Sequence, residues 1–458
     1  MSEKSQRAAI FGALAVFVCT IAISAVPVSD VLWTGDSAVY NEQIERLDLR
    51  GRTGHIGYYI LGILGTRLSP LSTDHTMNLL VSLFAGITTA LTFSLILNLT
   101  SVKSAAFVGA FALAFSPMFW QHAAFSHYLM PQTLFILAAY YSWYRHKPLL
   151  AAVLFLMALL ISPLSALALP GFLLTPPTRR TSITFGAACF LPYAVFVWLF
   201  RQDFLFGPRG VFASGIMDES DNVTLLWSVL RLGYHLALNF HLFLVLAAVP
   251  FVLFAARKGT NSRWFLLATA FCALVLILFG ITNHHIWFHL PFYPLVAVCI
   301  GLGLAALLDL GGGFRQLARL APLLLMVSFL SGLLSVTEKR KELEDFRDLS
   351  LEVSAAKPDD VIVIAEWSRG ILFERYTEGR SYVGVWQDPS GLALDSKADN
   401  IPDYLLTKTE LDRVVQSGRE AWILDGKAAA LVQAELGRPL STLKLETETI
   451  WRLEARSD

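Results

Sequence analysis

Charge is what this 458-residue chain has least of: 16% of its residues are charged, against 55% that are hydrophobic. Mean hydropathy is +0.55, so an ordinary soluble protein is excluded. The 36 basic and 36 acidic residues cancel, which leaves no basis for a nucleic-acid partner. Cysteine is scarce as well. Cys19, Cys189, Cys272 and Cys299 all fall in apolar blocks, at no spacing that suggests zinc or a redox pair. No G-x-G-x-x-G or Walker A signature is present, so no nucleotide is assigned. The apolar blocks hold almost no ionisable residue, which argues against an ion-coupled pump or a charge-lined flippase.

What charge there is lies unevenly. The chain is a series of apolar blocks up to about residue 336 and becomes charged from Thr337 to Asp458. We therefore expect a multi-pass membrane domain over 1–336 and a soluble domain over 337–458. The apolar blocks fall at 8–26, 76–99, 105–119, 130–145, 149–162, 164–176, 182–200, 236–255, 264–281, 290–308 and 319–336. By length they predict about 11 transmembrane helices, with 149–176 readable instead as one tilted helix. The first is read as an uncleaved helix rather than a signal peptide.

Basic residues segregate onto alternate connections. Lys103, Arg145 with Lys147, Arg179 with Arg180, Arg257 with Lys258, and Arg315 with Arg319 fall on one side; 117–129 and 282–289 carry neither Lys nor Arg. The positive-inside rule then places the N-terminus in the cytoplasm, and the 27–75 loop and the C-terminal domain outside. That domain offers strands at 361–367, 382–386, 421–425 and through 442–453, with helices at 338–354, 368–378 and 407–418. The alternation predicts a small α/β layer structure.

One stretch concentrates polar chemistry. Trp33 to Arg67 packs acids, four arginines, a histidine, three tyrosines and many glycines into an otherwise lipid-soluble chain. Asp36, just past the first apolar block, is either a carboxylate desolvated enough to act as a base or the N-cap of a helix starting at Ser37. The run 55–67 is too short to span and suits a helix lying in the interface. His122 and His127 stand five residues apart, which does not put both on one helical face. They are read as site residues or as polar neighbours of the aromatic anchors Trp120 and Tyr128. His284, His285 and His289 leave three readings open: a metal site, a phosphate contact, or chance at an interface.

At these residues the chain resembles the GT-C superfamily of polyprenyl-phosphate-sugar-dependent glycosyltransferases, in particular bacterial relatives of the protein O-mannosyltransferases. Three stretches carry the resemblance: W-T-G-D-S-A-V-Y (33–40), H-I-G-Y-Y-I-L-G-I-L-G (55–65) and A-F-S-P-M-F-W-Q-H-A-A-F-S-H-Y (114–128). H-L-P-F-Y-P-L (289–295) is similar to the family's lead-in to a late helix, with His289 where Arg is common. The chain also has Ser126-His127 where relatives often carry an acid, and it lacks the paired prolines of the loop.

The resemblance implies an α-helical polytopic membrane protein of GT-C type with a small extracytoplasmic α/β domain, acting in the inner (plasma) membrane. It implies an inverting hexosyltransferase. Its donor would be a sugar on a polyprenyl phosphate, and its acceptor hydroxyl belongs to a protein, lipid or polysaccharide. Asp36 would be catalytic. Arg52, His55, Tyr58, His127 and His289 would bind the donor, with Arg201 or Arg209 as further phosphate contacts. No cofactor is implied, and the metal requirement is left open. The competing expectation is a non-enzymatic envelope scaffold or lipid-carrier flippase.

Overall fold

The computed structural model describes residues 3–25, 31–47, 55–173, 179–201, 225–240, 286–310, 318–356, 361–364, 367–378, 383–384, 420–424, 440–444 and 449–453, with short helical fragments between 269 and 278, at 315–316 and between 429 and 433. The chain divides into two compact units. One comprises Met1–Ser29 with Leu47–Glu338; the other joins Asp30–Arg46 to Lys339–Asp458.

The first unit is built on helices. Helix α4 (Thr73–Thr100) packs against α1 (Glu3–Ala25), α5 (Lys103–Ala114) and α7 (Leu129–Tyr144). Hydroxyls stitch α4 to its neighbours, α6 (Pro117–Ala124) included. Thr20 of α1 and Thr89 of α4 share a hydrogen bond of 2.9 Å, and Ser82 of α4 donates to the Ala123 carbonyl at 2.6 Å. Where neighbouring surfaces are equally apolar, such bonds and close small-residue contacts hold helices together. Gly301 of α12 (Tyr293–Leu310) supplies one: a Cβ there would stand 2.6 Å from Ile96.

Five helices among the described residues are long and apolar enough to cross a membrane, or six if one bent pair counts as a single span. The protein is thus a multi-pass membrane protein. The eleven expected spans are not all represented. Those at 236–255 and 264–281 lie almost wholly outside the described residues, as does the expected helix at 407–418. Two other blocks break at proline. Helix α5 and α6 (Pro117–Ala124) meet at 65°, with Ser116 extended at ψ 124°. Helix α8 (Pro148–Ile161) stops at Ser162, likewise extended, and a 3₁₀ turn over Pro163–Ala168 leads into α9 (Leu169–Leu173). The Cδ of a proline pushes the preceding residue out of helical geometry, so in each S-P pair the serine is extended and the helix cannot run through it. Among the described residues 149–173, neither one long tilted helix nor two full spans forms.

Helix α10 (Arg179–Leu199) packs on α8 and leaves Ile183, Leu191, Val195 and Trp198 exposed, as a lipid-facing helix does. The interfacial run expected at 55–67 forms helix α3 (Ile56–Leu68). It buries Gly57, Tyr58, Tyr59 and Gly62 and exposes Ile60, Leu64 and Leu68.

The second unit carries a five-stranded sheet ordered β2-β1-β3-β5-β4. Strand β1 (Val361–Ile364) pairs in parallel with β2 (Val383–Gly384) and β3 (Ala421–Ile423). Strand β3 then pairs antiparallel with β5 (Thr449–Leu453), and β5 with β4 (Ser441–Lys444). The single final strand expected over 442–453 is therefore a hairpin of two. Strand β1 buries Ile362, Val363 and Ile364 alike, as a central parallel strand covered on both faces must. The segment after Lys339 of α13 (Ala321–Ala356) covers the sheet with Phe346, Leu349 and Val353, spaced three and four apart on one helical stripe. Helix α14 (Trp367–Tyr376) adds Leu372 and Phe373 to the same core. So does the early segment. Leu32 and Ala38 sit in that core with Trp422, Leu424 and Ile450, and α2 (Gly35–Arg46) packs on α14.

Candidate functional site

Asp36 belongs to the second unit, in the first turn of α2. The cap position of this helix is held by Thr34. The Thr34 hydroxyl accepts from the Ser37 amide at 3.3 Å, and its carbonyl accepts from the Ala38 amide at 3.3 Å. The helix therefore starts two residues earlier than an Asp36 cap would place it.

In the first unit, residues named from sequence gather into one buried cluster. His55 immediately precedes α3 and donates from Nδ1 to the Ile161 carbonyl at 2.7 Å; a carbonyl only accepts, so this nitrogen carries the proton. Its ring lies 4.1 Å from Tyr128, whose own ring lies 4.4 Å from His127. His127 in turn meets His122 edge-on at 5.7 Å. The five-residue spacing had kept these two histidines apart on a continuous helix. They meet because α6 ends at Ala124 and the chain turns before α7. The turn is pinned by Asn78, whose side-chain carbonyl accepts from the Ser126 amide at 2.6 Å. Tyr58 follows His55 in α3 and is fully buried. Burial, above all, pushes the Tyr58 hydroxyl pKa well up, and neighbouring Tyr59 adds to the rise, so it stays a neutral donor.

His289 stands elsewhere. It lies in the 3₁₀ turn Ile286–Phe292 that leads into α12, is buried, and has an Nδ1 with no hydrogen-bond partner among the described residues. His235 of α11 (Leu225–Phe240) faces it, ring centroids 6.0 Å apart. The groups that bear on His289 electrostatically are His235 and Arg231, both basic. Asn239, one turn beyond His235, anchors α11 at this point. Its side-chain carbonyl accepts from the Met118 amide at 2.9 Å and the Ser116 hydroxyl at 3.1 Å, capping α6 from outside; its amide nitrogen donates to the His235 carbonyl at 2.9 Å. An arginine and two imidazoles around an unpaired buried nitrogen make a site suited to an anion.

Arg231 and His235 escaped the sequence reading, although Ser228, Arg231, His235 and Asn239 fall on one helical face at spacings of three, four and four. Arg201 is exposed, donates to the Trp198 carbonyl at 3.0 Å and lies over that indole. Arg52, Arg209, His284 and His285 lie outside the described residues. Among the described residues no group of three or more His, Cys, Asp or Glu side chains is placed to hold a metal ion.

No family model matches the chain, and no curated protein does. Solved structures do match. ArnT from Cupriavidus metallidurans in the apo state is 11% identical, with a TM-score of 0.62 over 97% of this chain and 98% of that one. The same protein bound to undecaprenyl phosphate gives 10% identity and a TM-score of 0.62, over 96% and 97% of the two chains. The arabinofuranosyltransferase AftD from Mycobacteria is 14% identical with a TM-score of 0.50; the match takes in 100% of this chain but 40% of that one. At such identities the likeness is one of fold. The fold of this chain resembles that of the GT-C superfamily, to which ArnT and AftD both belong.

Proposed function

We propose that the protein is an integral-membrane inverting glycosyltransferase that moves a sugar from a polyprenyl phosphate to an acceptor hydroxyl at the extracytoplasmic face. The observation that carries this reading is the pair of buried imidazoles His235 and His289 beside the half-buried Arg231, a group suited to an anion, in a fold shared with a protein solved with undecaprenyl phosphate. In this reading Asp36 takes the proton of the acceptor hydroxyl. The oxygen attacks the anomeric carbon from the face opposite the lipid phosphate. The bond from anomeric carbon to phosphate oxygen breaks with inversion, and the phosphate leaves with an added negative charge. Arg231 supplies fixed positive charge to that phosphate, and the imidazoles of His235 and His289 donate hydrogen bonds to it. His55, Tyr58 and His127 hold the sugar through hydrogen bonds and ring stacking, and Arg52 is a further phosphate contact. The N-terminus is cytoplasmic, and the 27–75 loop and the 337–458 domain lie outside.

Transfer of radiolabelled sugar from polyprenyl-phosphate donors in membranes tests the reading. Asp36→Asn keeps the shape and removes the base, and general-base loss lowers turnover by about 10²–10⁴-fold. Full transfer by Asp36→Asn at normal abundance removes Asp36 from the mechanism. No consumption of donor by the wild type transfers the case to the scaffold reading.

A further inference from the structure

The C-terminal domain has no chemistry assigned to it in that mechanism, yet it is where the Asp36 segment is bound. We propose that this domain is the positioning element for the base, and that Arg375 and Tyr376, the last two residues of α14, are its positioning residues. The proposal rests on Asp36 acting as base, and it concerns groups that touch neither donor nor acceptor.

Two contacts bracket the segment. Before α2, the Leu32 amide donates to the Tyr376 hydroxyl at 3.0 Å, which fixes the chain four residues ahead of Asp36. At the far end of α2, Arg375 grips Glu45 with both terminal nitrogens, at 2.7 and 2.6 Å. A planar guanidinium meeting a carboxylate through two parallel bonds fixes orientation as well as distance. The side chains are 21% and 37% exposed, so this pair is less screened than an open surface pair. Between the two contacts Leu32 and Ala38 are buried among Phe346, Phe373 and Trp422. A twelve-residue helix of this composition is marginal alone, so its placement comes from what it is docked on. Neighbouring residues of one helix thus hold both ends of the segment that carries Asp36.

A charge-swap cycle on the full-length protein in lipid nanodiscs tests this, with Arg375→Glu, Glu45→Arg and the double variant. Two quantities are read: kcat and donor KM for sugar transfer, and hydrogen exchange of the 36–46 amides. A catalytic group displaced by about 1 Å costs up to about a hundredfold. Each single variant is therefore expected to lower kcat by about 10–100-fold, with donor KM within about twofold of wild type and faster exchange over 36–46. The double variant restores both, and Tyr376→Phe shows a smaller fall of the same kind. Singles that lose amide protection at unchanged kcat overturn the proposal. So does a double variant that stays as slow as the singles, or a wild type whose 36–46 amides are unprotected. A wild type that consumes no donor while those amides stay protected defeats the glycosyltransferase reading, and with it the positioning role. The exchange measurement shows which of the two has failed.

Discussion

Replacing either of two glycines in α3 by alanine should move stability in opposite directions. A Cβ built on Gly57 would lie 2.9 Å from Ile161 Cγ1, 3.0 Å from the Ile161 nitrogen and 3.1 Å from the Leu160 carbonyl carbon. Ordinary contact begins at 3.4 Å, and two of these three atoms are backbone at the end of α8, so no rotamer relieves the overlap. Such overpacking costs about 1–3 kcal/mol. Against it stands the gain of about 1 kcal/mol from alanine over glycine inside a helix. The clash wins, leaving a net loss of up to about 2 kcal/mol. It also strains the bond from His55 to the carbonyl of Ile161, the same residue the added Cβ would meet. At Gly65 the nearest atom is the tip of Leu80 at 3.3 Å, which can swing aside, and the next is Thr76 Cγ2 at 3.8 Å. There the propensity gain survives, a stabilisation of up to about 1 kcal/mol. Thermal unfolding of both variants in one detergent at one scan rate reads the difference. A Gly57→Ala protein that melts at or above Gly65→Ala refutes the packing of α3 against α8 described here.

Asn239→Ala should cost about 1–3 kcal/mol, because the Met118 amide and Ser116 hydroxyl lose their acceptor at a buried position; unchanged melting would contradict that cap. Glu374 has its pKa raised by burial first and by Glu42 second. A carboxyl with a raised folded-state pKa is destabilising above that value and ceases to be so as pH falls through it. Glu374→Gln should therefore slow exchange of the α2 and α14 amides at neutral pH and do nothing at a pH below the unfolded carboxyl's value; an equal effect at both would exclude the charge as cause. Reporter fusions after Ser72 and Arg456 should both read as extracytoplasmic, and activity of a cytoplasm-only reporter at either point would reverse the proposed orientation.

Local patterns were legible where the physics is local. The glycines and tyrosines after His55 announced α3, and the runs at 361–367 and 421–425 announced β1 and β3. The S-P pairs at 116–117 and 162–163 are equally plain in the chain, and block length alone does not register that they interrupt helices. Two features of the candidate site could not be read locally. Leu32 meets Tyr376 across 344 residues, and nothing in W-T-G-D-S-A-V-Y declares a partner. The encounter of His122 with His127 depends on a turn fixed by Asn78, a residue on another helix. The Arg231–His235 face differs from these, since its helical spacing was there to be counted.

The division of the second unit between Asp30–Arg46 and Lys339–Asp458 has a consequence for how the protein is made. Residues 30–46 emerge from the ribosome early, and roughly four hundred more must follow before the core they dock on is complete. At about 5–20 residues per second that interval is roughly 20–80 s. Throughout it Leu32 and Ala38 have no core to enter, and the segment is open to proteases and to mispairing. The two units therefore mature in a fixed sequence. The membrane helices insert first, and the Asp36 segment is captured only when α14 and the sheet arrive. A ribosome stalled before Lys339 would leave an inserted protein whose α2 has nothing to dock on.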